Sequence, residues 1–214
     1  MISFSNTYTK AFQILMNRLG APCYFIRGQL VTPEKTESHG WNVIKLVDGY
    51  YAVDVTNNDC DEKESILYHK YNFAYATYEG EYIIDEDSLV FPTCTDTRYS
   101  FKNTYGLDEN VASAMAYAGT STTISSLEEF KHFHEQACRN NGFGEWEIKF
   151  VVVGENVLYQ VSEYLEAGEY LDTYIAAIAK FNQVDSIHWQ QVPYVVEFGD
   201  AYGVSLKTSL QPAQ

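Results

Sequence analysis

The chain is predicted to be an α+β protein made of two modules, and three features of the sequence support this. Apolar residues in Thr9–Leu19 recur at the spacing of an amphipathic helix. Strand-like runs then flank Asp48-Gly49, a dipeptide typical of hairpin turns. A stretch rich in Gly, Ala, Ser and Thr, Asn103–Thr123, separates these elements from a second set, so we place the module boundary near residue 105.

The first module, residues 1–105, is predicted to pack one long helix on an antiparallel sheet. Gly20-Ala21-Pro22 ends the helix, because glycine and proline both stop helical backbone. The segment Val31–Ser38 is polar and contains proline, so we expect a loop. Strands are predicted at Cys23–Ile26, Trp41–Leu46 and Tyr50–Val55, and a second hairpin is predicted from Tyr71–Tyr78 and Glu81–Ile84.

The second module, residues 106–214, is predicted to be a small α+β unit with the order α-β-α-β-β. A short helix is also expected near its start, at Glu109–Ala118. Ser126-Leu127-Glu128-Glu129 has the pattern of a capping box, which indicates a helix that runs to about Asn140. The remaining predicted elements are a strand at Glu147–Val153, helix over most of Tyr159–Phe181, and a closing hairpin of Pro193–Phe198 with Gly203–Leu210.

Composition excludes several classes of partner. Fourteen basic and 29 acidic residues give a net charge of -15, which argues against nucleic acid and anionic membrane surfaces. The longest apolar run is too short to insert into a bilayer, and no signal-peptide pattern follows Met1, so cytoplasmic and extracellular locations both stay open. No Cys-x-x-Cys pair is present, and His134 with Cys138 offers only two metal ligands, so we expect no metal and no cofactor.

Three segments of the first module suggest a site for acyl transfer. Ser5 lies at the start of the first helix, His39 at the head of one strand and Asp54 on the next. A two-residue turn would place Asp54 opposite Val43, which shares a sheet face with His39. The same register leaves His39 and Asp54 four residues apart along the strands. We therefore expect a looser turn, a bulge or strong twist to bring them together.

These segments resemble the transglutaminase-like superfamily, which is related to the papain-type thiol proteases. In that family a nucleophilic cysteine begins a helix, a His-Ala-Trp-Asn strand follows, and a strand with Val-Asp-Val-Thr carries the carboxylate. The matching segments here are Leu19–Cys23, His39–Asn42 and Tyr50–Thr56, and the resemblance covers roughly residues 1–105. It implies Ser5, His39 and Asp54 as the catalytic set and Tyr8 and Trp41 as substrate-binding residues, with core packing as the alternative for Trp41.

Two departures from the family pattern shape the expected function. Serine stands at the nucleophile position, and only four residues precede it where the family has helices, which implies an N-terminally truncated core. Because a serine hydroxyl stays neutral at neutral pH, we expect an inactive domain that binds a peptide, a protein or a cell-surface polymer. The alternatives are a working serine triad, and a fragment or inactivated form of an active transglutaminase-like enzyme or cysteine peptidase.

Overall fold

The chain folds as a mixed α+β protein with two compact units, Met1–Ala112 and Ser113–Gln214. A computed structural model describes residues 4–60, 65–85, 93–168, 176–183 and 187–212. Each unit contains its own four-stranded sheet. The α+β class expected from the sequence is therefore confirmed.

The first unit is built on an antiparallel sheet of four strands. In chain order its elements are α1 (Phe4–Arg18), β1 (Cys23–Val31), β2 (Thr36–Lys45), β3 (Tyr50–Val53), α2 (Val55–Asn58), β4 (Asp59–Cys60), β5 (Ser65–Ile66), a 3-10 helix (Tyr75–Tyr78), β6 (Tyr82–Ile84) and α3 (Phe101–Tyr105). The strand order of the sheet is β3-β2-β1-β6, and neighbouring strands are antiparallel. A separate two-stranded ribbon pairs β4 with β5.

Apolar side chains pack on both faces of this first sheet. Successive residues of a strand point to opposite faces, so each strand contributes to both clusters. One face packs against α1, where Phe12 and Met16 meet Cys23, Ile44, Tyr51 and Val53. The opposite face forms a second apolar cluster made of Ile26, Trp41, Val43, Ala52, Phe73 and Cys94. The expected arrangement of one helix on an antiparallel sheet is thus present in this unit.

One local prediction for the first unit is wrong, and another is right only in part. Tyr71–Tyr78 does not pair with the strand that follows it, because Tyr75–Tyr78 forms a 3-10 helix and β6 pairs with β1 instead. Tyr75 and Tyr78 pack on the sheet face rather than across a hairpin. The expected loop at Val31–Ser38 is present but shorter, at Thr32–Lys35, since the β1–β2 ladder continues to Val31 opposite Thr36.

The second unit combines a four-stranded sheet with several helices. The division between the units falls within helix α4 (Glu109–Ala118). The elements that follow are β7 (Thr123–Ile124), α5 (Leu127–Asn141), β8 (Gly144–Val153), α6 (Glu155–Ala167), α7 (Ala176–Asn182), β9 (Ile187–Phe198) and β10 (Ala201–Pro212). The sheet order is β7-β8-β10-β9, with β7 parallel to β8 and the other pairs antiparallel. Helices α5 and α6 supply Phe130 and Val161 to the apolar cluster on this sheet.

The sequence predicts most elements of the second unit correctly. The short helix at Glu109–Ala118 and the closing hairpin are confirmed, although both strands of the hairpin are longer than expected. Ser126 caps α5 by accepting a hydrogen bond from the Glu129 amide at 3.2 Å. The Glu129 carboxylate, however, accepts from the amide of Ser125 at 2.7 Å, one residue earlier than a standard capping box. Of the helix expected at Tyr159–Phe181, positions 169–175 lie outside the described residues.

Candidate active site

His39 and Asp54 form a direct hydrogen-bonded pair, with His39 Nε2 2.7 Å from Asp54 Oδ2. The connection between β2 and β3 has four residues, because Lys45 pairs with Tyr50. In this register Asp54 lies across from Trp41 instead of Val43, which is two residues closer to His39. Diagonal neighbours of this kind are within reach of long side chains. The Leu46 amide donates to the Gly49 carbonyl at 3.0 Å, so the turn is centred on Val47-Asp48, and this shift by one residue brings the two side chains together.

Asp54 is a fully buried carboxylate that accepts hydrogen bonds on both oxygens. It caps α2, with Oδ1 accepting from the Asn57 amide at 3.1 Å. Its Oδ2 accepts from the Asn57 side-chain amide and from the Tyr82 hydroxyl, each at 2.8 Å, in addition to His39. Hydrogen bonds from several donors favour the ionised form of a carboxylate, which offsets the cost of burial. The surroundings of Asp54 are thus those of a buried anion.

The partners of His39 assign its tautomer. An ionised carboxylate can only accept hydrogen bonds, so the Nε2 atom facing Asp54 must carry a proton. In the neutral ring this leaves the lone pair on Nδ1, the nitrogen that can act as a base. The imidazole is 7% exposed and stacks on Trp41 at a centroid distance of 6.3 Å. The orientation is that of a general base held by a carboxylate.

Ser5 lies in the first turn of α1, which is fixed to the strand residue next to His39. Ser5 itself is buried, with 5% of its surface exposed. One turn later, Thr9 Oγ1 lies 2.6 Å from the Ser5 carbonyl and 2.9 Å from the Gly40 carbonyl, and shares its proton between them. The Asn42 side-chain amide donates to the Thr9 carbonyl at 3.1 Å. The structure thus ties the helix turn that carries Ser5 to the strand that carries His39.

Gly40 allows helix and strand to approach closely without displacing neighbouring side chains. A Cβ atom at this position would lie 2.8 Å from the Phe25 ring and 3.0 Å from Asn6 Oδ1. Asn6 follows Ser5 in the first turn of α1, so a larger residue at Gly40 would press on that turn. The absence of a side chain at Gly40 therefore helps to place Ser5.

The two predicted substrate-binding residues differ in exposure. Tyr8 is 39% exposed and donates a hydrogen bond to Asp59 Oδ2. Trp41 has no exposed surface, and its indole nitrogen donates to the Tyr75 hydroxyl at 3.0 Å. In this conformation Trp41 packs beneath His39, as in the alternative interpretation, whereas Tyr8 presents part of its ring to solvent. A substrate contact for either residue stays a prediction.

Among the cysteines that the structure describes in full, none has the surroundings of a nucleophile. Cys23, Cys94 and Cys138 are buried, and none of them forms a disulfide. Burial raises the pKa of Cys23 to about 11, that of Cys94 to about 12 and that of Cys138 to about 11. These thiols stay protonated at neutral pH, so they behave as core residues.

The structure adds three residues to the site that the sequence did not reveal. Asn57 and Tyr82 bind Asp54 directly. Lys70 lies nearby, with Nζ 2.7 Å from Glu81 Oε2 and 3.1 Å from the centre of the Tyr78 ring, and burial lowers its pKa. The spacing Asp54-x-x-Asn57 is a signal for a helix cap and could have pointed to Asn57. Tyr82 comes from a distant strand, so no local pattern indicates it.

Two other classes of site lack support in the described part of the chain. Its His, Cys, Asp and Glu side chains form no group of three or more that could hold a metal ion. Its helices include none that is long and apolar enough to cross a membrane.

Comparison with known proteins identifies no family for this chain. No protein-family model matches the sequence, and a search of curated proteins finds no significant match. The resemblance to the transglutaminase-like superfamily therefore rests on the motifs around Ser5, His39 and Asp54.

Proposed function

We propose that the first module is a transglutaminase-like domain with a degenerate acyl-transfer site, which binds a peptide, a protein or a cell-surface polymer without turning it over. The observation that carries this proposal is the buried 2.7 Å contact between His39 and Asp54. The Gly40 carbonyl, next to His39 in the chain, accepts a hydrogen bond from Thr9, one turn after Ser5. A base held by a carboxylate beside a helix N-terminus is the arrangement that activates a thiol.

The start of α1 supports the assignment of Ser5 to the nucleophile position. The first turn of α1 contains no acidic residue, so nothing in that turn offsets the partial positive charge of its amide groups. That charge and a nearby imidazolium both favour an anion at position 5. A thiol responds strongly to them, because its ordinary pKa of about 8.5 lies near neutrality. A serine hydroxyl responds too little to ionise, which is why we propose binding rather than turnover.

Alkylation of Ser5→Cys tests the site assignment. Cys60 is replaced by serine, whereas Cys23, Cys94 and Cys138 stay in place, because burial and raised pKa values protect them. Iodoacetamide rates are measured against pH. We expect a midpoint at least about one unit below the free-thiol value of about 8.5, and a return toward that value in Ser5→Cys/His39→Gln.

Thr7→Cys is the matched control for this experiment. Thr7 lies in the same part of α1 but is exposed, so its thiol feels the helix terminus without a buried partner. We expect its midpoint to fall between those of Ser5→Cys and a free thiol. A Ser5→Cys midpoint at or above that of Thr7→Cys would reject the proposed site.

A further inference from the structure

Tyr82 reaches the site from the far edge of the sheet. It lies on β6, and two strands separate β6 from β3 in the sheet order. Its hydroxyl nevertheless lies 2.8 Å from Asp54 Oδ2. Its ring packs edge-on against Trp41 at 5.1 Å, lies 6.5 Å from the His39 ring and 5.1 Å from the Phe73 ring. The side chain therefore binds Asp54 directly and lies beside the His39 ring.

We infer that Tyr82 is a positioning residue, which holds the Asp54 carboxylate in place and weakens its attraction for the proton on His39. This inference rests on the proposed function only in taking His39 and Asp54 as the base and carboxylate of an acyl-transfer site. Tyr82 donates to the same oxygen that receives the His39 proton. A donor on that oxygen withdraws electron density from it, so the carboxylate stabilises an imidazolium less than it otherwise would.

Toward Asp54 the phenol of Tyr82 can serve only as a donor, while its oxygen accepts from the Asn57 side-chain amide at 3.4 Å. Burial raises the pKa of Tyr82, and the negative charge of Asp54 raises it further. The hydroxyl therefore keeps its proton throughout the range of pH 5 to 8 in which histidine side chains ordinarily change charge. Asn57 donates to the same carboxylate, but it belongs to the helix that Asp54 caps and is fixed by local backbone. Tyr82 is the donor that links the pair to another part of the sheet.

Among the described residues, the nearby charged side chains of Lys70, Glu81 and Asp59 have hydrogen-bond partners of their own. Lys70 is bound to Glu81, and its Nζ lies 5.2 Å from the centre of the Tyr82 ring. Asp59, which follows α2, accepts from Tyr8. The first turns of α1 and α2 contain no acidic residue. A change in the titration of His39 on removal of one hydroxyl can therefore be assigned to the Tyr82 hydrogen bond.

Tyr82→Phe tests the inference, with Tyr78→Phe as a matched control. The Tyr78 hydroxyl belongs to the same aromatic cluster but donates to the His69 carbonyl at 2.8 Å. The His39 ring is followed by ¹⁵N NMR across pH and assigned with His39→Gln. We expect its pKa to rise by about 0.5–1 unit in Tyr82→Phe, the order of one hydrogen bond, and to be unchanged in Tyr78→Phe. No rise, or an equal rise in both variants, would overturn the inference.

A second measurement covers the case in which Tyr82→Phe does not fold. In the unmodified protein, a hydroxyl proton donated to Asp54 should appear as a slowly exchanging downfield signal close to His39. Fast exchange of that proton with water would overturn the inference. The result is distinct from the test of the proposed function: an unreactive thiol in Ser5→Cys rejects the acyl-transfer site, whereas an unshifted His39 rejects the role of Tyr82.

Discussion

Asp54 lies diagonally across from His39, just past the end of the neighbouring strand, and the two side chains meet at 2.7 Å. The contact depends on the register in which Lys45 pairs with Tyr50, because a turn centred on Asp48-Gly49 would move Asp54 away by two positions. Asp54 is also the cap of α2. One carboxylate therefore joins two strands and a helix, and a change at this position should affect both stability and the state of His39.

Replacement of Asp54 by Ala should strongly destabilise the first unit. His39, Asn57 and Tyr82 would all lose the acceptor that they share in a buried site. We expect the free energy of unfolding to fall by about 2–4 kcal/mol, since each unsatisfied buried donor costs about 1–3 kcal/mol. Urea unfolding measures the change. Asp59→Ala, which removes an exposed acceptor, should cost less than about 1 kcal/mol. Equal losses in the two variants would contradict this account.

Gly28 should tolerate a side chain less well than Gly40. A Cβ atom on Gly28 would overlap the backbone carbonyl of Ile83, so β6 would have to move away from β1. At Gly40 the nearest atoms belong to the side chains of Phe25 and Asn6, which can shift. We expect Gly28→Ala to cost about 2–4 kcal/mol and Gly40→Ala about 1–2 kcal/mol. Urea midpoints that rank the two variants in the opposite order would show that the β1–β6 contact is not tight.

The sequence predicts local elements and side-chain faces better than long-range pairing. Alternation along the strands places His39 and Asp54 on one face, and the structure agrees. The position of the turn is less certain, because Asp48-Gly49 suits the centre of a two-residue turn although the strands pair around Val47-Asp48. The pairing of Tyr82 opposite Leu30 joins segments about fifty positions apart, and no local pattern encodes it. The sequence therefore leaves Tyr82 out of the site for the same reason that it places β6 in the wrong hairpin.

His134 should make the second unit less stable in acid. It is fully buried on α5, stacks on Phe130 at 5.4 Å and accepts a hydrogen bond from the Gln191 amide at 2.9 Å. Burial lowers the pKa of His134 to about 4. Since the pKa in the unfolded chain is about 6.5, the unfolded state binds more protons between about pH 6.5 and 4. The contribution is fully present above about pH 6.5 and is lost as the pH falls toward 4.

The expected loss from His134 is at most about 3 kcal/mol, because one pKa unit corresponds to about 1.4 kcal/mol. Urea unfolding at pH 7, 5.5 and 4 measures it. His134→Gln should flatten the slope over this range, whereas His188→Gln, at an exposed position, should leave it unchanged. A slope that survives in His134→Gln would assign the acid sensitivity to other groups.

Reaction with an activated ester distinguishes an inactive binding domain from an active enzyme. p-Nitrophenyl acetate transfers its acetyl group to a reactive nucleophile and releases nitrophenolate, so the size of a fast initial phase counts acylated sites. We expect none in the unmodified protein, because the Ser5 hydroxyl stays neutral, and about one equivalent per chain in Ser5→Cys if the thiolate forms as proposed.

The phase should be at least about tenfold slower in Ser5→Cys/His39→Gln, since loss of a general base typically costs about 100-fold or more. Thr7→Cys should also be slow, because it lies on the exposed side of the same helix. A fast phase in the unmodified protein that Ser5→Ala abolishes would instead show a working serine triad and overturn the binding proposal.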